Sequence, residues 1–556
     1  MLLKTTKLTR SLPEEHDGLE TPQEKRERWI SIRIIYFTMF LMSLGFSIIL
    51  TGVWPYLDKL DPTAGKEFMG YVVAANPFGQ MIFSPLIGWW GNRRGSIRMP
   101  LMFSLTVFTL SSACYSMVEI FPSYHKYWML GARFFVGVSS CYDKLISSEN
   151  GNFRWLTCSP VVYLISASIA VCRSYLSAAT KFKERTGAVS MVSLAQVLGF
   201  VVGPGLQAAV TPLGDKGVPL IPGVLSLNMY TAAGWINVLL GVLNCLLFLP
   251  SVFRERRIAA REAMLRQGME SEEDTWKQIQ PDYISTWTLI IAFFVLVFNF
   301  VLLETLGTSL TMDQFAWTKK EALYYMGILM SVGAVVACAT FVGIGPLCKR
   351  FQERKVLMWG GFFLMVLGRA LYIPWGSEPP IIAEDISVAE FNGTFGNLSV
   401  TGNDTEIVGC PSVQKWCYYI PAMTLTQFLL GYAFTAVGYP IGVTLLQTIF
   451  SKILGPRPQG VWMGLMTGAG CLSRVLGPVF VSSIYTRYGT IWTFGITTIM
   501  MAASMVWLQL VDKRLVPPEL LPIPPPPVEM QVRTSGSING KQNGEEYKPL
   551  QEKSDA

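Results

Sequence analysis

The chain has 556 residues, of which 51% are hydrophobic and only 15% are charged, and its formal net charge is +7. Soluble globular proteins carry about 25% charged residues, so the composition excludes an ordinary soluble protein of several domains. Apolar runs of about 20 residues, the length that crosses a bilayer as a helix, recur along the sequence. The composition therefore predicts an all-α, polytopic membrane protein.

The apolar runs predict twelve transmembrane spans in two six-helix halves. The charged N-terminal tail 1–28 has no signal-peptide pattern, so span 1 is expected to be an uncleaved anchor. The N-terminal half is expected at 29–251, a cytosolic linker at 252–285, the C-terminal half at 286–511 and a Pro-rich, disordered tail at 512–556. The twelve spans are expected at 31–54, 68–90, 99–117, 126–140 continued by 168–179, 187–207, 229–250, 286–308, 322–343, 355–375, 419–440, 460–483 and 490–511.

Residues 141–167 separate the two parts of span 4 and are polar first and then apolar. If they formed an added span, every later loop would change sides, and the basic loops would contradict the glycosylation sequons described below. The segment is therefore interpreted as an insertion that interrupts one helix. Its source is either a translated retained intron or an adaptive loop.

The placement of lysine and arginine predicts the orientation of the spans. Basic residues cluster in the loops after spans 2, 4, 6 and 8, whereas the alternate loops contain few. The even-numbered loops and both termini are therefore expected to be cytosolic. Positive charge on that side suits anionic lipid headgroups as partners, and nucleic acid is not expected as one.

The loop 376–418, between spans 9 and 10, is expected on the luminal side. It contains three N-glycosylation sequons, which begin at Asn392, Asn397 and Asn403. Cys410 and Cys417 lie in the same loop, and an oxidising compartment would allow a disulfide between them. The sequence thus predicts a glycosylated luminal loop with one disulfide.

An internal repeat relates the two halves. The segment after span 2 reads GWWGNRRGSIR, and a similar segment follows span 8, in which Gly345 aligns with Gly88 and Arg350 with Arg93. Spans 5 and 11 also match, because each contains a Gly-Pro pair, Gly203-Pro204 and Gly477-Pro478. Two six-span halves in parallel repeat are typical of secondary transporters.

These residues resemble the signatures of the major facilitator superfamily. The segment GWWGNRRGSIR resembles the signature of the loop after span 2, with Asn92 where the superfamily usually has Asp. Arg133-x-x-x-Gly137 resembles the span-4 signature, and Gly199-x-x-x-Gly203-Pro204 resembles the span-5 antiporter signature without its trailing glycine pair. The resemblance implies the twelve-helix major facilitator fold and a transport function.

The resemblance and the repeat together suggest which residues act in gating or hold the helices together. We expect Arg93 and Arg350 to tie helix ends together on the cytosolic side and to favour the outward-open state, because helix C-termini attract cations. The full set is Gly88, Asn92, Arg93, Arg94, Gly95, Gly199, Gly203, Pro204, Arg350, Arg474, Gly477 and Pro478.

From Arg28 to Arg514 the chain is similar to endolysosomal, chloride-conducting members of the superfamily. The likeness rests on short stretches such as Trp54-Pro-Tyr56, Cys172-Arg-Ser-Tyr175 and Ala316-Trp317. It implies an endolysosomal protein that conducts chloride. The acidic dileucine signal of those members is missing, but Tyr547-Lys-Pro-Leu550 has the pattern of a tyrosine-based signal for a sorting adaptor. The plasma membrane is therefore the alternative location.

Four charged residues inside predicted spans stand out, because charge there is costly and points to function. They are Arg133 and Arg173 in span 4, Glu304 in span 7 and Arg474 in span 11. In this superfamily spans 1, 4, 7 and 10 line the central cavity, so Arg133, Arg173 and Glu304 are expected to face water or substrate. The alternative is a structural ion pair between the halves, and this alternative is favoured for Arg133 and Arg474.

Three functions are compatible with the sequence. Chloride conduction is favoured by the resemblance and by the arginines, and proton-coupled antiport of small organic solutes by the span-5 signature and by Glu304. A non-transporting scaffold would follow if the insertion abolished the cavity. Both histidines lie outside the spans, so Glu304 is the main candidate for proton coupling. No metal-ligand spacing, catalytic triad or phosphate-binding loop occurs, so neither a cofactor nor enzyme activity is expected.

Overall fold

The fold is described from a computed structural model of the chain. The structure describes residues 19–61, 65–121, 123–138, 168–214, 217–221, 225–267, 271–272, 281–376, 378–383, 409–412 and 414–517. Several predicted features lie outside these residues, namely the insertion 141–167, the sequon residues Asn392, Asn397 and Asn403, and the tail residues Tyr547 and Leu550.

Each predicted span of the N-terminal half corresponds to helical structure. The helices of spans 1 to 6 are Pro22–Leu60, Gly65–Arg94, Arg98–Ser116, His125–Val138 with Ser168–Ala179, Arg185–Val210 and Met229–Leu247. A short helix, Ala259–Gln267, follows in the linker, and 3-10 turns occupy Val118–Ile120 and Thr211–Leu213.

The C-terminal half repeats this arrangement. The helices of spans 7 and 8 are Tyr283–Phe315 and Lys319–Arg350, and span 10 is Leu425–Ile453. Span 9 consists of Glu353–Val356, a π-helical stretch Leu357–Phe363, and Leu364–Leu371. Spans 11 and 12 lie in Gly460–Val511, which is broken at Gly489, where φ is 79°. A 3-10 turn occupies Lys415–Tyr418.

Nine helices within the described residues are long and apolar enough to cross a membrane, judged by length and composition. The three other predicted spans are also helical. Span 2 is one helix, span 4 is described in two parts, and span 9 is divided by its π-helical stretch. The predicted all-α, polytopic fold is therefore confirmed.

Side-chain caps explain where several spans begin. Thr21, Thr318 and Thr424 each accept a hydrogen bond from the backbone three residues later, where a Glu or Gln side chain bonds back to the cap. These reciprocal bonds satisfy backbone N–H groups that the first helical turn leaves free. The caps of spans 8 and 10 lie just before their apolar runs, so they define where the chain turns into the membrane.

Four short strands lie between the spans, and the sequence analysis did not predict them. Strand β1 (Val218–Ile221) pairs antiparallel with β2 (Leu225–Leu227), and β3 (Ile382–Ala383) pairs parallel with β4 (Cys410–Pro411). Cys410 and Cys417 form a disulfide with Cα atoms 6.2 Å apart. The disulfide links β4 to the 3-10 turn that precedes span 10, so it holds both segments at the predicted luminal end.

The buried apolar residues form four clusters. Two contain residues of the N-terminal half, one near Phe248 and Phe253 and one around Tyr56 and Tyr115. The other two contain residues of the C-terminal half, one around Phe362 and one around Trp416 and the disulfide. Each half therefore has two core clusters of its own, and Leu194 and Val197 of span 5 pack across the interface against the cluster around Phe362.

Candidate transport site

The two halves contact each other at the predicted cytosolic end through Asn92. Its Oδ1 accepts a hydrogen bond from the Gly460 amide at 2.9 Å, and its Nδ2 donates to the Pro458 carbonyl at 3.2 Å. An amide can donate and accept at once, whereas the carboxylate that the superfamily usually has here can only accept. Asn92 therefore bridges span 2 to the start of span 11 with both of its side-chain atoms.

Glycines bring the same two helices close together. A methyl group at Gly88 would collide with the carbonyl of Gly460, and one at Gly464 would collide with the Ser84 carbonyl. One turn further on, a methyl at Gly468 would lie 3.0 Å from the Met81 carbonyl. Spans 2 and 11 thus pack backbone to backbone near their predicted cytosolic ends.

Replacing Gly88 by Ala is expected to separate spans 2 and 11 at the cytosolic end. Overpacking of this kind costs about 1–3 kcal/mol, and here the cost falls only on the state in which the halves touch. Cysteine labelling from the cytosolic side should therefore increase. Gly91→Ala is the matched control, because a methyl group at Gly91 meets nothing within 4 Å. Equal labelling of the two variants would contradict this role of Gly88.

A second contact joins span 5 to the C-terminal half. The Arg185 guanidinium is buried and donates to the carbonyls of Ser177 at 3.0 Å and Ser451 at 3.2 Å. Beside it, the Lys452 ammonium lies 2.7 Å from Glu353 and donates to the Thr186 hydroxyl at 3.1 Å. These bonds satisfy buried charges, so this contact also favours closure on the predicted cytosolic side.

The arginines of the segment after span 2 lie away from these contacts. Arg93 is exposed, and its guanidinium lies 5.5 Å from the ring of Trp89 on the same helix. Arg94 and Arg350 are also exposed, and Gly95 has a φ of 66°, which ends the helix in a conformation that glycine adopts easily. The predicted tie by Arg93 and Arg350 stays a prediction, while Asn92 makes the described contact between the halves.

A polar cluster lies among the predicted spans, and Arg173 of span 4 is its first member. The Arg173 side chain is half-buried, and its Nη2 donates to Oε1 of Gln196 in span 5 at 3.2 Å. It also interacts electrostatically with Tyr439 of span 10 and with Arg474 of span 11. Arg173 thus faces the C-terminal half, and its place in a transport cavity stays a prediction.

Arg474 and Glu304 complete the cluster from the other half. The carboxylate of Glu304 is exposed and attracts the Arg474 guanidinium, which is within hydrogen-bonding reach of the Tyr439 hydroxyl. The ring of Tyr439 stacks on Phe300 of span 7 with centroids 3.8 Å apart. One turn before Arg474, the Cys471 thiol donates to Oε1 of Gln80 in span 2 at 3.1 Å.

The cluster therefore draws on both halves and has an unequal charge. Two guanidinium groups, Arg173 and Arg474, face one carboxylate, Glu304, so the described groups have a net positive charge. The arginines repel each other electrostatically, and an anion between them would relieve that repulsion. Among the described residues, no three His, Cys, Asp or Glu side chains come together as a metal site.

Arg133, which was expected in the cavity, lies elsewhere. It is fully buried, its guanidinium lies 5.4 Å from the ring of Phe46 in span 1, and Tyr115 of span 3 is its electrostatic neighbour. No described residue accepts a hydrogen bond from its guanidinium. The structure therefore places Arg133 inside the N-terminal bundle and not beside Glu304.

The Gly-Pro pairs occupy equivalent positions in the two halves. A methyl group at Gly199 would lie 2.5 Å from the Phe40 carbonyl, and one at Gly203 would lie 2.6 Å from the Cβ of Ser47. Span 5 therefore packs tightly on span 1 just before Pro204. Gly477 faces Val301 of span 7 in the same way, at 3.3 Å and just before Pro478. These residues hold the helices that frame the cluster.

Sequence reasoning missed several polar residues. Gln80, Gln196 and Tyr439 are uncharged, so a search for charges inside spans could not find them. Arg369 was missed although it lies inside predicted span 9, where its charge was a sufficient signal. Asp313, whose carboxylate accepts a hydrogen bond from the Tyr485 hydroxyl at 2.9 Å, lies near the end of the span 7 helix, beyond the predicted span.

Comparisons with known proteins agree with this architecture. The family model "Major Facilitator Superfamily" matches residues 163–401 and 413–536. Major facilitator superfamily domain-containing protein 8 of Xenopus laevis is 40% identical over 517 residues, which are 91% of this chain and 96% of the frog protein. Multidrug resistance protein 2 of Bacillus subtilis is 24% identical over 326 residues, which cover 58% of this chain and 68% of that protein.

Solved structures share the fold at low sequence identity. The human organic anion transporter MFSD10 (TETRAN) aligns with a TM-score of 0.57 and 15% identity, over 88% of this chain and 100% of that one. The proton:xylose symporter XylE aligns with the same TM-score and 11% identity, over 88% and 96%. The matching family model and the frog relative show that the chain belongs to the major facilitator superfamily, whose members carry small solutes or ions across membranes.

Proposed function

We propose that this membrane transport protein conducts a small anion through the central cluster of Arg173, Arg474 and Glu304, and that this anion is chloride. The observation that supports it most is the net positive charge of groups supplied by both halves. An anion that enters a membrane protein loses part of its hydration, and fixed guanidinium groups offset that loss because they stay protonated at every physiological pH.

Access to the cluster would come from the luminal side. The described hydrogen bonds of Asn92 and Arg185 join the halves at the predicted cytosolic end, whereas the Glu304 side chain is exposed. Conduction would then require the contacts around Gly88 and Lys452 to open. The human relative of similar fold is described as an organic anion transporter, which supports an anionic cargo for this architecture.

Chloride flux in proteoliposomes tests the proposal. Vesicles that contain the purified full-length chain should release chloride faster than empty vesicles when an outward potassium gradient and valinomycin let potassium leave together with the chloride. Replacing chloride by gluconate, a much larger anion, should abolish the flux. Release at the rate of empty vesicles, from correctly folded protein, would contradict chloride conduction.

Proton-coupled antiport of a small organic solute is the second candidate. It is favoured by the attraction between Glu304 and Arg474, because a carboxylate that pairs with a cation in one state can take up a proton in another. XylE, which shares the fold, is described as a proton symporter. A pH gradient that drives solute uptake in the absence of chloride would favour this candidate over chloride conduction.

We also propose an endolysosomal location, with the plasma membrane as the alternative. The proposal is supported by the Tyr547-to-Leu550 signal pattern in the tail. The non-transporting scaffold is less well supported, because the central cluster has members from both halves in spite of the interruption of span 4.

The sequons at Asn392, Asn397 and Asn403 are expected to carry glycans if the loop between spans 9 and 10 is luminal. Peptide N-glycosidase should then lower the apparent mass of the full-length protein from cells. Changing all three asparagines to Gln should produce the same mass without the enzyme. Unchanged mobility after digestion of the wild-type protein would contradict the predicted orientation.

A further inference from the structure

Arg369, near the luminal end of span 9, is a buried cation without a hydrogen-bond partner. Its side chain is 0% exposed, and Nε, Nη1 and Nη2 have no acceptor among the described residues. Its guanidinium lies 5.6 Å from the ring of Tyr372, less than one turn further along the chain. Tyr372 is also 0% exposed, and its hydroxyl has no partner among the described residues either. Two neighbouring residues therefore both have buried donors without a described acceptor.

Two other buried arginines of this protein have acceptors. Arg28 donates to Glu20 and to the Ala179 carbonyl, and Arg185 donates to two backbone carbonyls. Arg369, like Arg133 of the N-terminal half, has no described acceptor. An aromatic ring is the only described support of Arg369, and a cation–π contact does not replace hydrogen bonds to five N–H donors.

No described carboxylate compensates the charge of Arg369. Its electrostatic neighbour is the Tyr372 hydroxyl. The surroundings are aromatic, since the ring of Tyr372 lies 5.1 Å from Phe494 and 5.7 Å from Phe428. A methyl group at Gly368 would lie only 3.0 Å from the Gly431 carbonyl, so spans 9 and 10 pack closely beside the arginine. The place is positive, rich in donors and small.

We propose that Arg369 and the Tyr372 hydroxyl bind a small inorganic monoanion of halide size inside the C-terminal half. Such an ion accepts from several N–H and O–H donors at once, and the positive edges of aromatic rings tolerate it. Complete burial excludes larger anions such as organic carboxylates. Span 9 supplies no residue to the cluster of Arg173, Arg474 and Glu304, so this second site stabilises the fold and does not depend on the proposed conduction.

Thermal unfolding of the purified full-length protein tests the site. Tryptophan fluorescence would follow unfolding while chloride replaces gluconate at constant ionic strength. The unfolding temperature should rise saturably by about 2–4 °C, and bromide should act like chloride. Arg369→Met should abolish the rise. Tyr372→Phe, which keeps the ring, should raise the half-saturating chloride concentration about fivefold.

Arg173→Gln separates this site from the central cluster. That variant should lose chloride flux and still show the halide-dependent rise. Suppose instead that chloride fails to raise the unfolding temperature of Arg173→Gln and still raises that of Arg369→Met. That result would overturn the proposal and assign the effect to the central cluster. An unfolding temperature independent of halide in the wild-type protein would also overturn it, because water would then satisfy the donors. If Arg369→Met does not fold, the proposal is overturned when Tyr372→Phe has the same half-saturating chloride concentration as the wild-type protein.

Discussion

Replacing Arg173 by Gln should lower the chloride current at least about tenfold at every pH. A fixed cation about 4 Å from an anion contributes about 4 kcal/mol where the effective dielectric constant is about 20, and about 1.4 kcal/mol suffices for a tenfold change. Gln keeps most of the side-chain length and can still bond to Gln196, so mainly the charge is lost. Because Arg stays protonated, the loss should not vary between luminal and cytosolic pH.

The measurement is anion current at matched membrane abundance of variant and wild type. Arg33→Gln is the control, because Arg33 is an exposed arginine on the span 1 helix, outside the central cluster, and its loss changes the net charge equally. The control should conduct like the wild type. Wild-type current in Arg173→Gln would mean that Arg173 has only a structural role.

Replacing Glu304 by Gln should raise the current at neutral pH and remove its pH dependence. The carboxylate opposes an anion and neutralises part of the charge of Arg474. Protonation of the carboxylate by luminal acid would remove that opposition. The wild-type current should therefore increase as the luminal pH falls. The current of the variant should equal, at every pH, the wild-type current at acidic luminal pH.

Asp313→Asn is the matched control for Glu304→Gln. Asp313 lies on the same helix, but its carboxylate bonds to Tyr485, and an amide oxygen can replace it as acceptor. The control should keep the wild-type pH dependence. A Glu304→Gln variant that titrates like the wild type would exclude Glu304 as the sensor. If Glu304→Gln instead abolishes proton-driven solute uptake while solute exchange continues, the result supports the antiporter.

The membrane spans could be predicted because hydropathy over 20 residues depends little on tertiary contacts. The structure confirms an all-α fold, and it adds what hydropathy cannot show. Gly489 breaks one continuous helix into spans 11 and 12, and a π-helical stretch divides span 9. The break at Gly489 allows close packing, since a methyl group there would lie 2.6 Å from the Trp416 ring.

The central cluster could be predicted only in part. Arg173 and Glu304 were found because charges inside spans are rare, and the structure brings both to one cluster. Arg474, for which a structural role was favoured, interacts with both, whereas Arg133 is enclosed by Phe46 and Tyr115. The direction in which a side chain leaves a helix depends on its neighbours, and sequence spacing alone does not determine it.

The contact between the halves shows the same limit. The sequence drew attention to the arginines after span 2, because positive charge near a helix end is conspicuous. The described bridge is made by their uncharged neighbour Asn92, and the close approach of Gly88 to Gly460 allows it. Neither the amide bonds nor the glycine contact has a signal in hydropathy or charge, and it was the resemblance to the superfamily signature that pointed to Asn92 and Gly88.

Patch-clamp recording from isolated endolysosomes tests the central claim most directly. The wild-type chain and the double variant Arg173→Gln/Arg474→Gln would be compared at equal abundance, first in chloride and then with chloride replaced by gluconate. We expect a wild-type current that reverses near the chloride equilibrium potential and disappears in gluconate. We expect no such current in the double variant. A chloride current of wild-type size in the double variant would contradict this claim.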